Sequence, residues 1–187
     1  MVAEDNVFPM EDDSIKEEVE LQDFMVCSLV MFLDEEAGYG LGVDYCLITL
    51  ANWLRGKDAK KAIDFELNRR NMHRLYTALR GKFSYTGKVY HGLNSNQGIT
   101  ELLSTSSSKE VAERFSEVRY KLLEFEVQDE FDLAELLSVL IDREGITSKD
   151  LDAFEEYISE EEVIISPTNY RTYGYSSGKL MLIAEGA

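Results

Sequence analysis

Three consecutive carboxylates, Glu160, Glu161 and Glu162, run directly into Val163, Ile164 and Ile165, and Pro167 closes the segment. An uninterrupted β-branched triplet reads as a short strand buried on both faces. A carboxylate at the mouth of such a strand is held by rigid backbone and partly dehydrated. That setting suits a group meant to face a developing positive charge. The same pattern also serves as a charged gatekeeper beside a hydrophobic strand, so the rest of the chain has to decide between the two.

The chain has 187 residues, 44% of them hydrophobic. That is enough for one compact domain with a real core, with or without a helical extension. The formal net charge is -17, from 36 acidic and 19 basic residues, which argues against nucleic-acid binding by phosphate neutralisation over the whole surface. The charge is uneven. Residues 55–88 carry ten Lys/Arg against three acids, whereas residues 121–165 carry fifteen acids against three Lys/Arg. The basic segment could meet an anionic ligand such as a dinucleotide, and the favoured expectation is that it meets the protein's own acidic faces. Cys27 and Cys46 sit in apolar stretches without metal-ligand spacing, so a reducing, cytoplasmic compartment is expected and no metal is. The first twenty residues are acidic, unlike a signal peptide. The apolar run from Phe24 to Leu33 is ten residues long and broken by Ser28, short of the roughly 20 needed to span a membrane.

Residues 1–14 are expected to be a loose acidic tail. Ile15, Val19, Val26, Leu29, Val30 and Leu33 then predict a helix, as do Val43, Cys46, Leu47, Leu50 and Leu54. A third helix is expected over 58–80, with Ala62, Phe65, Met72, Tyr76 and Leu79 as its apolar stripe and His73 on its surface. Gly38-Tyr39-Gly40 resembles a dinucleotide fingerprint only superficially: Val43 stands where the third glycine belongs. After Gly81 the pattern changes. Lys88 to Gly92 predicts a strand, and Leu102 to Ser108 leads into a helix with a capping box at Ser107 and Glu110. Tyr120 to Val127 alternates as a half-buried strand. Asp132 and Glu135 cap another helix, residues 147–157 form a short acidic one, and Glu160–Ser166 is the strand described above. Thr168 to Gly178 reads as a tyrosine-rich turn, and Lys179 to Ala184 as a last strand. Helices in front and mixed elements behind predict an α+β fold, with a helical portion over 15–81 and a core over 82–187.

Three pieces stand in a telling order: Val89-Tyr90-His91-Gly92-Leu93; Leu103-Ser104-Thr105-Ser106 leading into Ala112-x-x-Phe115; and Glu160-x-Glu162 entering Val-Ile-Ile. This arrangement resembles the mono-ADP-ribosyltransferases of the Arg-Ser-Glu class, which includes C2- and iota-like toxins and phage transferases of the T4 type. The resemblance covers roughly residues 85–185. It implies an ADP-ribosyltransferase-like core of mixed and antiparallel strands, with NAD as co-substrate. One position departs: His91 stands where the class has Arg, as in the diphtheria-toxin and poly-ADP-ribose polymerase branch.

By that resemblance Glu162 is the catalytic carboxylate, stabilising an oxocarbenium-like transition state as in glycoside cleavage. Ser104 would hydrogen-bond Glu162 and orient it. Tyr90, His91, Gly92, Ser104, Thr105 and Ser106 would line the NAD site, with the Gly92 backbone gripping the nicotinamide amide and His91 holding ribose or phosphates. Glu160, on the same face as Glu162 if the strand has begun by then, would pair with an arginine of an intracellular protein target. Phe154 or Tyr157 would be the aromatic contact to that target, or would simply pack in a helix. The cysteine usage and the short apolar run lead to the expectation of a cytoplasmic chain, in the host cell if phage-encoded, with no membrane partner. Other readings stay open: a transferase fold that has lost turnover through His91 and works as a binding module, an NAD glycohydrolase, or a transferase acting on nucleic acid, which the net charge disfavours.

Overall fold

The computed structural model describes residues 13–55, 62–92, 101–116, 122–146, 151–167, 170–176 and 179–184. Three helices come first: α1 (Asp13–Leu33), α2 (Leu41–Leu54) and α3 (Ala62–Leu79). Then follow β1 (Ser84–Gly92), β2 (Leu103–Ser106), α4 (Lys109–Arg114), β3 (Leu122–Asp132), α5 (Leu133–Asp142), α6 (Leu151–Ile158), β4 (Glu162–Ile165), β5 (Tyr170–Ser176) and β6 (Lys179–Ala184). The fold is α+β, as the pattern of elements predicts. The expected acidic tail lies outside the described residues as far as position 12, and Asp13 and Ser14 already belong to α1.

The six strands form one sheet in the order β1-β2-β4-β3-β6-β5. β1 also pairs antiparallel with β3 from Ser84↔Phe131 to Gly92↔Leu122. Because β4 pairs with both β2 and β3, strands β1, β2, β4 and β3 close into a ring. β6 joins β3 in parallel, and β5 pairs antiparallel with β6. Two residues after Tyr85 the β1 register shifts, and Gly87 takes φ +147°, a left-sided conformation that glycine adopts without steric cost.

β4 shows why its sequence is continuously apolar. Val163 and Ile165 join Val89, Leu103, Leu123, Phe125 and Val127 in one buried cluster. Ile164, facing the other way, joins a larger cluster built from α1, α2, α3, α5 and α6. A strand covered on both faces has no solvent side on which to place polar residues, and each such side chain contributes about 1.5–3 kcal/mol by its burial. The larger cluster runs from Leu29, Leu47 and Leu50 through Met72, Leu75 and Leu79 to Leu136, Leu137 and Phe154. The helical front and the strands thus share one apolar core.

Local signals account for the helix ends. Asp132 caps α5 by accepting a hydrogen bond from Glu135 N at 2.9 Å, as its spacing predicts. The cap of α4 is Ser108, whose Oγ accepts from Val111 N, and not Ser107 as the capping-box spacing suggests. Ser107 is otherwise engaged: its N–H bonds Glu161 O and its hydroxyl donates to Glu161 Oε2. The expected turn at Thr168–Gly178 is instead largely β5. Several basic residues of the middle segment do meet the protein's own acids: Arg74 pairs with Asp23, Lys82 with Asp34, Lys88 with Glu124 and Arg69 with Glu101. His73 is exposed, as expected for that helix face. No helix among the described residues is long and apolar enough to cross a membrane.

Candidate active site

The three sequence pieces come together on adjacent strands. Tyr90 on β1 stands opposite Ser106 on β2, and Ser106 stands opposite Glu162 on β4. Directly opposed residues of an antiparallel pair share a face, so Tyr90, Ser106 and Glu162 form one row across three strands. Ser104 faces the same way, opposite Ile164 and so diagonal to Glu162.

Glu162 is buried, with 5% of its surface exposed. A dehydrated carboxylate is costly unless it is hydrogen-bonded. Trp53 Nε1 on α2 donates to Glu162 Oε1 at 2.9 Å. The expectation that Ser104 orients Glu162 is therefore revised: Ser104 is exposed, and the donor seen on the carboxylate comes from the helical front of the chain. Ser106, the serine opposite Glu162, donates to Glu160 O at 2.7 Å and accepts from Ser108 N at 3.0 Å. It fixes the main chain that carries the acidic run. Thr105 points the other way, is 4% exposed and donates to Val163 O at 2.6 Å. It ties β2 to β4 and does not face the Glu162 side of the strands.

The acidic run itself differs from the sequence expectation. The strand begins at Glu162, not at Glu160. Glu160 and Glu161 form the turn that ends α6, with Glu160 N bonded to Tyr157 O and Glu161 N to Ile158 O. Glu161 takes φ +48°, the left-handed conformation that commonly stops a helix and costs a residue with a Cβ roughly 1–2 kcal/mol. The simple alternation expected over 160–162 is thereby lost. Glu160 nevertheless senses Glu162: burial, and then the Glu162 charge, raise its carboxyl above the usual value. Glu161 is exposed.

His91 Nδ1 lies 2.7 Å from Ser104 O. A carbonyl only accepts, so Nδ1 carries the proton and donates. Burial lowers the pKa of the imidazole, and the bond to Ser104 offsets this only in part. His91 is therefore neutral near pH 7, and Nε2 is an acceptor. Gly92 sits against the end of α4. A Cβ there would lie 2.5 Å from Ala112 O and 2.8 Å from Ser116 N. Only glycine lets β1 approach α4 this closely.

Of the two aromatics expected to meet a target, Phe154 is fully buried in the main core, so that expectation is corrected to packing; Tyr157 is half-buried and packs against the same core. Trp53 was not legible as a site residue. Its one signal is that it is the only tryptophan of the chain, on a largely apolar helix.

The chain matches no protein-family model and no curated protein. Among solved structures it is similar to the type III effector XopAI from Xanthomonas axonopodis pv. citri, with a TM-score of 0.51, 13% identity, and coverage of 91% of this chain and 79% of that one. The Vis toxin, an ADP-ribosyltransferase from Vibrio splendidus, overlaps with a TM-score of 0.37 at 18% identity over 96% of this chain and 87% of its own. Vis in complex with agmatine overlaps to the same TM-score at 19% identity, over 95% and 86%. At such identities the likeness to XopAI is one of fold alone, the α+β fold described above.

Proposed function

We propose that the chain is an NAD-dependent mono-ADP-ribosyltransferase that modifies arginine on an intracellular protein. One observation carries the reading: the strands bearing the Tyr-His-Gly, Ser-Thr-Ser and Glu-x-Glu pieces lie side by side, with Tyr90, Ser106 and Glu162 in a single row. Breaking the bond between nicotinamide and ribose develops positive charge on the sugar. Glu162, dehydrated and pre-oriented, stabilises that charge. The Gly92 main chain receives the nicotinamide amide, with Ser104 and Tyr90 on the adjoining surface.

His91 departs from a phosphate clamp in its chemistry. A neutral imidazole whose Nδ1–H is committed to Ser104 O presents an acceptor at Nε2. It suits a ribose hydroxyl, which can donate, better than a phosphate, which cannot. Glu160 serves the acceptor. Burial and the neighbouring Glu162 charge favour its protonated form, and an arriving guanidinium favours its ionised form.

The test is incubation with labelled NAD and a bacterial lysate, with and without nuclease, beside a Glu162→Gln control. Label on protein bands that depends on Glu162 supports the reading. Free ADP-ribose alone makes the chain a glycohydrolase, nuclease-sensitive label makes nucleic acid the acceptor, and no NAD consumption refutes enzymatic transfer.

A further inference from the structure

Trp53 lies 109 residues from Glu162 in sequence, on a helix outside the strands that carry the motifs, yet its indole N–H reaches the buried carboxylate at 2.9 Å. We propose that Trp53 is the positioning residue of the site, an indole donor from α2 that sets the rotamer of Glu162 and favours its charge. The inference rests on the transferase reading.

Three observations converge on it. Both partners are buried, Trp53 at 8% and Glu162 at 5% exposure, so the bond is shielded from competing water and is stronger than it would be at a surface. The indole belongs to the main buried cluster. α2 buries Val43, Cys46, Leu47, Leu50 and Ala51 alongside it, and a side chain with two torsions locked by packing holds a partner to a defined place. Finally, Glu160 lies close enough for its charge to interact with that of Glu162. Two neighbouring carboxylates compete for one proton. A fixed N–H donor on Glu162 favours its ionised form over that of Glu160. Ser106, the residue opposite Glu162 in the ladder, holds the Glu160 carbonyl.

The single tryptophan makes the contact directly observable, because a 15N-labelled chain shows one indole cross-peak. That cross-peak is expected to shift in Glu162→Gln and to stay in place in Glu161→Gln, whose carboxylate is bonded to Ser107 instead. The functional arm replaces Trp53 with benzothienylalanine, which keeps the ring shape and substitutes sulfur for N–H. A hydrogen bond to a charged group supports an expected loss of about tenfold or more in kcat, with the KM for NAD within about twofold of the parent. Trp53→Phe should show the same split less cleanly, because it also leaves a gap. An indole cross-peak indifferent to Glu162→Gln, or parental turnover in the sulfur variant, overturns the proposal. A parent chain that consumes no NAD overturns the transferase reading and the positioning role together.

Discussion

Gly92→Ala tests the approach of β1 to α4, and its cost follows from the structure. The added methyl would meet Ala112 O at 2.5 Å, Ser116 N at 2.8 Å and Phe115 C at 3.0 Å, all main-chain atoms that cannot rotate away. Carbon contacts relax to about 3.5–4.0 Å, so strand and helix must part by on the order of 1 Å. Overpacking of this kind costs about 1–3 kcal/mol. In a chain of this size each kcal/mol moves Tm by about 2–4 °C, so a fall of about 2–12 °C is expected. Urea denaturation should show the midpoint falling while the slope stays constant, the mark of a change in stability and not in the denatured chain. Gly81→Ala is the control. Nothing lies within 4 Å of a Cβ there, and restricting the unfolded chain should leave stability equal or raise it by up to about 1 kcal/mol. Equal midpoints for Gly92→Ala and the parent would refute the packing argument.

Other perturbations address the chemistry. Glu162→Gln should lower kcat on the order of a hundredfold or more while NAD binding changes little, as read from steady-state kinetics and calorimetry. Glu160→Gln should keep NAD hydrolysis to water, slowed, and abolish labelling of polyarginine, whereas Glu161→Gln should change neither much. The folded-state pKa of Glu160 is raised above its ordinary 4.5, so its contribution to stability is present below that value and is lost as pH rises through the folded pKa. Glu160→Gln should therefore be more stable than the parent at pH 7 and show no such gain at pH 3.5, checked by thermal melts at both. His91 has the opposite sense of proton linkage. Its pKa is lowered, so its contribution is present above the ordinary histidine value and fades as pH falls through the folded one. NAD affinity should accordingly stay level from about pH 7 to 8, and affinity that falls steadily over that range would return His91 to a cationic role.

Much of this was legible because local chemistry and tertiary structure agree. The Val163–Ile165 run reads as a doubly buried strand and is one, and the Asp132 cap falls at its predicted place. Lys179–Ala184 is a strand with the predicted limits. The failures have physical causes. β5 combines Tyr170, Thr172, Tyr173 and Tyr175, which favour strands, with Gly174 and Ser176, which read as turn residues, and its pairing with β6 decides between them. The cap of α4 moved one residue because Ser107 bonds Glu161 instead. In Ser-Thr-Ser both serines face the same way, so sequence cannot say which stands opposite the glutamate; the register does. Glu160 left the strand because Glu161 turns left-handed after α6. Trp53 was beyond reach for another reason: a side-chain contact across 109 positions leaves no periodicity behind.

That separation also bears on time. Closing a long loop has an entropic cost before any contact compensates it, and chains dominated by distant pairings fold slowly. β2 and β4 likewise meet across a gap of 58 residues at Thr105 and Val163. During synthesis α2 leaves the ribosome long before β4 has been made, so the indole waits for its carboxylate. The Trp53–Glu162 contact is then expected to be among the last features to form, after the three helices have found one another. Stopped-flow refolding followed by the single indole's fluorescence, beside far-ultraviolet circular dichroism, checks the order. An indole phase as early as helix formation would show that Trp53 reaches its final surroundings without Glu162.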